Sequence, residues 1–137
     1  MAYSNLYANF YSWGQRASAA LAAVWHFPPS RLYLLGLFML QAIAWLQAYF
    51  IFSNLSGDFL VLHYNVDFGT DLVGPPVRVF LYPLLGLVLA FLNIMLAAAF
   101  NRHKDFTIMV HSFLATALAF GLLLDLALWF VYLVNFR

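Results

Sequence analysis

Three stretches of this chain are long, apolar and nearly free of charge, and they restrict its fold more than any other feature. Between Arg31 and Asp58 there is no acidic or basic side chain, and Leu32 to Phe52 reads LYLLGLFMLQAIAWLQAYFIF. At about 1.5 Å per residue this run crosses a hydrocarbon core of about 30 Å. A second uncharged run, Val79 to Phe100, lies between Arg78 and Arg102 and carries Pro83 near its start, where a proline disturbs a helix least. The third, Phe106 to Phe136, holds Asp125 as its only acid and His111 as its only histidine. It exceeds a minimal span, so it must tilt or leave a turn at the surface. With 66% hydrophobic and 8% charged residues, against about a quarter charged in soluble domains, the chain reads as an all-α integral membrane protein. The expected spans are about 32–52, 79–100 and 108–134, within a transmembrane domain of residues 31–137.

Residues 1–30 differ in pattern. Leu6, Phe10, Trp13, Ala17, Ala20 and Val24 recur at helical spacing, and Asn5, Asn9, Ser12 and Arg16 form a polar stripe beside them. This predicts an N-terminal amphipathic interfacial helix, with Tyr3, Tyr7, Tyr11, Trp13 and Trp25 suited to the headgroup zone. The apolar run Ala17 to Phe27 is too short to span and lacks the flanks of a secretory signal, so a retained helix is expected. Pro28 and Pro29 should end it, with Ser30 capping the next helix. Arg16 and Arg31 precede the first span, and Arg102 and Lys104 follow the second. The loop 53–78 instead sets Arg78 against Asp58, Asp67 and Asp71. Cationic loops stay in the cytoplasm, which predicts a cytoplasmic N-terminus and an outside C-terminus.

The outer loop 53–78 contains VLHYNVDFGTDLVGPP, in which His63, Asn65 and Asp67 alternate with Tyr64, Val66 and Phe68. That period of two predicts a short strand with the polar set on one face, followed by a turn at Gly69. One histidine, one amide and the nearby Asp67 and Asp71 could form an oxygen-rich cation site, yet the spacing matches no established calcium loop. The other reading makes His63, Asn65, Asp67 and Asp71 a wetted strand face and turn, or an interaction surface.

The run from His63 through Asn65 and Gly69 to Asp71 resembles the P-x-H-F-N-x-x-G-x-x-D loop of a family of small bacterial membrane proteins of unknown function. The same loop type occurs in the immunity protein against the sporulation-delaying toxin. Val61 stands in place of the motif's proline, the His-to-Gly spacing is one residue longer, and the basic residue after the loop is represented by Arg78. The resemblance implies a multi-spanning protein of the bacterial inner membrane whose loop folds onto the outer helix ends, and it brings no catalytic residue.

Polar side chains inside spans are rare and carry packing or function. On the third span Thr107, His111, Leu118, Gly121, Asp125 and Tyr132 share roughly one face, expected to point into protein. On the second, Pro83, Gly86, Ala90, Asn93 and Ala97 form a small-residue stripe permitting close backbone approach. Counting depth at about 1.5 Å per residue puts Asn93 and His111 on the order of 10 Å deep from one side, and Gln41 and Asp125 on the order of 15 Å from the other. Read as a path, His111 and Asp125 are stations for protons or cations. Read as packing, these groups form interhelical hydrogen bonds, Asp125 meeting Gln41 or a partner subunit.

The remaining patterns exclude more than they assign. Cysteine and glutamate are absent, and there is no phosphate loop, zinc helix or nucleophile elbow. No enzyme, cofactor or metal is therefore expected, and a net charge of +1 gives no field for nucleic acid. The expected function is an accessory or structural subunit of a membrane assembly, or a homo-oligomer within the lipid bilayer. The alternatives are a small transporter or channel protomer using His111 and Asp125, and an immunity or sensor protein reading ligands with the outer loop.

Overall fold

A computed structural model describes residues 2–55, 57–65 and 69–136. These form helix α1 (Ala2–His26), helix α2 (Pro28–Asn54), strands β1 (Leu60–Asn65) and β2 (Gly69–Gly74), a short 3-10 segment (Pro76–Phe80), helix α3 (Leu81–Ala99) and helix α4 (Phe106–Phe136). Three segments, Pro28–Asn54, Pro76–Ala99 and Phe106–Phe136, are long and apolar enough to cross a membrane. That suggests a multi-pass membrane protein.

The first span starts earlier than its uncharged run, because the two prolines begin α2 instead of merely closing α1. A proline at the first turn gives up an N–H that would be unpaired anyway, and its fixed φ is already helical. Phe27 is the N-cap, and Ser30, expected there, lies one turn inside. The Ser30 hydroxyl is fully buried between the carbonyls of Val24 and Phe27, 2.6 Å from the latter, so it ties the end of α1 to the start of α2. Arg31 closes the corner from outside, with Nε donating to the Trp25 carbonyl at 3.1 Å and the guanidinium over the Trp25 ring.

The inward face of α4 follows a heptad spacing through Val110, Leu114, Ala117, Gly121, Leu124, Leu128 and Val131. This is rotated by about 70° around the helix from the expected face, with which it shares Gly121. Thr107 is exposed, and His111, Leu118, Asp125 and Tyr132 lie half buried along the edge of the packed surface. The heptad buries two clusters. One, at the end where α3 turns into α4, joins Val110, Leu114 and Ala117 to Leu37 of α2, Ala97 and Ala98 of α3 and Val24 of α1. The other joins Leu128 and Val131 to Ala44, Ala48 and Ile51 of α2, and to Leu60, Leu62 and Val79.

The second cluster explains the outer loop. The expected single strand is one arm of an antiparallel hairpin in which Leu60 faces Gly74 and Asn65 faces Gly69, with an irregular register around His63. Gly69 adopts φ +80, a conformation that costs an L side chain about 1 kcal/mol or more, and so permits the reversal. Leu60 and Leu62 are buried anchors of β1, and His63 is exposed. Val66, Asp67 and Phe68 lie outside the described residues.

Asn135, the next inward position of the α4 heptad, clasps this hairpin. Its Oδ1 accepts from the Val61 N–H at 3.0 Å, and its Nδ2 donates to the Val61 carbonyl at 2.8 Å. The Tyr82 hydroxyl donates to the Leu62 carbonyl at 3.1 Å. Replacing Asn135 with leucine strands both Val61 backbone groups at a cost of about 1–3 kcal/mol. Amide exchange at Val61 should accelerate while exchange in the middle of α4 stays slow, and unchanged protection at Val61 would refute the clasp.

Candidate functional site

The polar side chains within the spans are the chemistry-bearing groups of the bundle, and several of them are spent on joining its elements. Gln41 of α2 donates from Nε2 to the Pro83 carbonyl of α3 at 2.6 Å. Gly86, one turn along α3, makes the room: a β-carbon there would sit 3.1 Å from Gln41 Oε1 and 3.3 Å from a methyl of Leu124. Gly121 lets α4 approach α2 in the same way, since a β-carbon would lie 3.1 Å from Leu40. Gly86 therefore serves contacts of α3 with both other spans, whereas Gly121 serves α2 against α4. Ala97 is fully buried and Ala90 packs against the same cluster at the far end of α3.

Gln41 and Asp125 do not meet as the depth argument anticipated. The amide has found a backbone carbonyl, while both carboxylate oxygens of Asp125 are sealed from solvent with no hydrogen-bond partner among the described residues. Nor do Asn93 and His111 form a layer. Asn93 donates to the Leu89 carbonyl of its own helix at 2.9 Å, so it spans no interface. His111 shares a hydrogen bond of 3.1 Å with the Tyr33 hydroxyl of α2, and the rings of Phe27 and Tyr33 meet it edge-on. His111 and Asp125 are about four turns apart, about 21 Å along α4. Depth alone cannot pair groups on different helices, because the rotation of each helix decides which side chains face one another.

In the hairpin, His63 is exposed beside a groove of about 430 Å³ bounded by Val61, Tyr82, Phe130 and Val134. Asn65 pairs through its backbone with Gly69, Asp71 lies on β2, and Asp67 is outside the described residues. Among the described residues no three histidine or carboxylate side chains gather closely enough to hold a metal ion.

Four contributors went unremarked in the sequence: Tyr33, Gln47, Tyr82 and Asn135. Asn135 was within reach, as it continues the α4 heptad by one step beyond Val131. Gln47 belongs to the same class as Gln41, a polar residue in an uncharged run. Tyr33 and Tyr82 carried no distinguishing signal, since tyrosines near helix ends ordinarily read as headgroup anchors.

With this arrangement established, comparison with known proteins yields no matching family, no matching curated protein and no matching solved structure. The residues themselves must carry the functional reading.

The waist formed by Gln41, Pro83, Gly86 and Leu124 can be tested by filling it. Gly86→Val should lower stability in detergent by about 1–3 kcal/mol through overpacking. Gly14→Val, where a β-carbon meets nothing within 4 Å, should leave the thermal midpoint nearly unchanged. Equal behaviour of the two variants would contradict a tight waist.

Proposed function

We propose that this protein is a structural or accessory subunit of a larger membrane assembly, acting through its outward surfaces and not through its interior. The observation that carries the reading is how tightly the spans close. The space left among Leu37, Gln41, Gly86, Gly121 and Leu124 is about 10 Å³, at the lower limit of what a single water molecule requires. Among the described residues a single copy thus offers no pore, and its polar groups serve as fasteners rather than as a relay. The wide separation of His111 and Asp125 argues in the same direction against a transporter protomer.

Topology enters the proposal through charge. Arg31 at the start of α2 and Arg102 and Lys104 in the α3–α4 turn belong to one end of the bundle, and the hairpin caps the other. Cation retention then favours a cytoplasmic turn end, with the hairpin and C-terminus outside. A bacterial inner membrane rests on the resemblance of the hairpin segment to the family loop. Helix α1 suits the membrane surface: Tyr7, Phe10, Tyr11 and Trp13 are largely uncovered, and its packing is confined to its last turns around Ala20 and Val24. Catalysis forms no part of the proposed role.

Purification of the tagged full chain in a gentle detergent, followed by native mass analysis, should reveal a discrete heteromeric complex. A monomer or a self-complex alone would count against the proposal. In proteoliposomes the isolated chain should produce no proton or cation flux above protein-free vesicles. Flux abolished by Asp125→Asn would favour a transporter instead.

A further inference from the structure

The bundle pairs Gln41, Tyr33, His111 and Asn135, and two intramembrane side chains stand apart. Both carboxylate oxygens of Asp125 and Oε1 of Gln47 are sealed from solvent without a hydrogen-bond partner among the described residues. Contacts along the α2–α4 seam show how these residues are related. Tyr33 bonds His111, Gly36 lies against Leu118, Leu40 against Gly121, and Phe50 against Tyr132. Those contacts climb both helices in the same direction, so α2 and α4 run parallel. At steps of three and four, the α2 stripe passes through Ile43 and Gln47 between Leu40 and Phe50. The α4 stripe passes through Asp125 between Gly121 and Tyr132. Interpolation sets Asp125 on the seam level with Ile43, and Gln47 about one turn nearer the hairpin, beside Leu128 and Trp129. Immediately toward the hairpin the same seam opens into an apolar groove of about 560 Å³, walled by Gln47, Phe50, Leu128, Trp129 and Tyr132.

All three unsatisfied atoms are acceptors, two of them on a carboxyl group. Hydrocarbon supplies no donor, and an unpaired acid in a span is costly. Among the described residues the chain's own lysines and arginines are elsewhere: Arg16 is in α1, Arg31 begins α2, Arg78 is in the 3-10 segment, Arg102 and Lys104 are in the turn, and His111 is bonded to Tyr33. A second copy does not provide the complement either. Copies inserted in one orientation meet at equal depth about a symmetry axis, which sets Asp125 against Asp125 and brings no cation to that level.

We propose that the α2–α4 seam is the docking site for a transmembrane helix of a different protein, one that carries a lysine or arginine at mid-membrane depth. Asp125 as a whole is only half buried, so a rotation of its side chain turns the covered carboxylate outward to pair with the incoming cation. Gln47, on the groove wall, accepts a further hydrogen bond, and the apolar flank of the helix fills the groove. The inference rests on the accessory-subunit reading and specifies the chemistry of the partner.

The test uses the full chain reconstituted in phosphatidylcholine vesicles with a synthetic leucine–alanine transmembrane peptide bearing one central lysine. Association is read by energy transfer. The lysine peptide should bind about tenfold more tightly than the same peptide with central leucine, as a charge-assisted interhelical contact implies. A central glutamate should bind more weakly than leucine, a comparison that needs no variant of the protein. Asp125→Asn should reduce the lysine peptide to the leucine level and Gln47→Leu should weaken it in part. Leu85→Ala, on an exposed face of α3, should change nothing. Equal binding of the three peptides, a lysine preference that survives Asp125→Asn, or self-association of the native chain through Asp125 would overturn the proposal. If a heteromeric complex is isolated yet survives Asp125→Asn, the seam is wrong and the accessory reading stands. If the lysine preference appears but no partner accompanies the native chain, the seam is supported and the accessory reading fails.

Discussion

Hydrocarbon cannot hydrogen bond, and a helical bundle within it must answer its polar groups from its own atoms. That constraint organises the spans of this protein. Gln41 reaches the Pro83 carbonyl, Tyr33 meets His111, and Asn93 returns to Leu89. Association in lipid lacks the hydrophobic drive available in water, so close packing and such bonds hold helices together. Gly86 and Gly121 matter for that reason: without side chains, Gly86 makes room beside Gln41 where its amide meets its acceptor, and Gly121 lets α4 approach Leu40 of α2.

The same economy extends to the hairpin. A two-stranded sheet is marginal alone, and this one is an extension of the helical core. Leu60 and Leu62 fill the space between Ala48, Ile51, Leu128 and Val131, and Asn135 presents an amide to Val61 much as a third strand would. Tyr82, immediately before the proline of α3, supplies another link from the opposite side. The ends of all three spans nearest the hairpin are thus joined through one small element, which couples its position to their packing.

Legibility in the sequence followed the strength of the physical signal. Uncharged runs long enough for a bilayer marked the spans, because charge is excluded from hydrocarbon whatever the neighbouring helices do. Gly69 marked a reversal, and the alternation from His63 marked a strand that in fact begins earlier, at Leu60. Element ends were less legible: Pro28 and Pro29 read equally as a stop and as a start, and only the burial of Ser30 between two carbonyls shows that they start α2. The face of α4 was misread because its residues are apolar nearly all round, leaving little periodicity to orient it. His111 and Asp125 drew attention as polar groups, although the buried heptad passes beside them. Pairing Gln41 with Asp125 failed for a related reason, as equal depth does not bring two side chains onto facing surfaces.

From its sequence alone, then, this protein is a chain of three apolar spans preceded by an aromatic-rich segment, with a polar outer segment that turns at Gly69. Composition and spacing suffice for that, because the solvent acts on each segment separately. Tertiary structure decided which polar groups are spent and which are left over. Gln41, His111 and Asn135 are satisfied by partners distant in sequence, while Asp125 and Gln47 are sealed and unanswered along one seam. Those outcomes depend on the rotation and register of parallel and antiparallel helices, which arise only when small residues on several helices settle against one another.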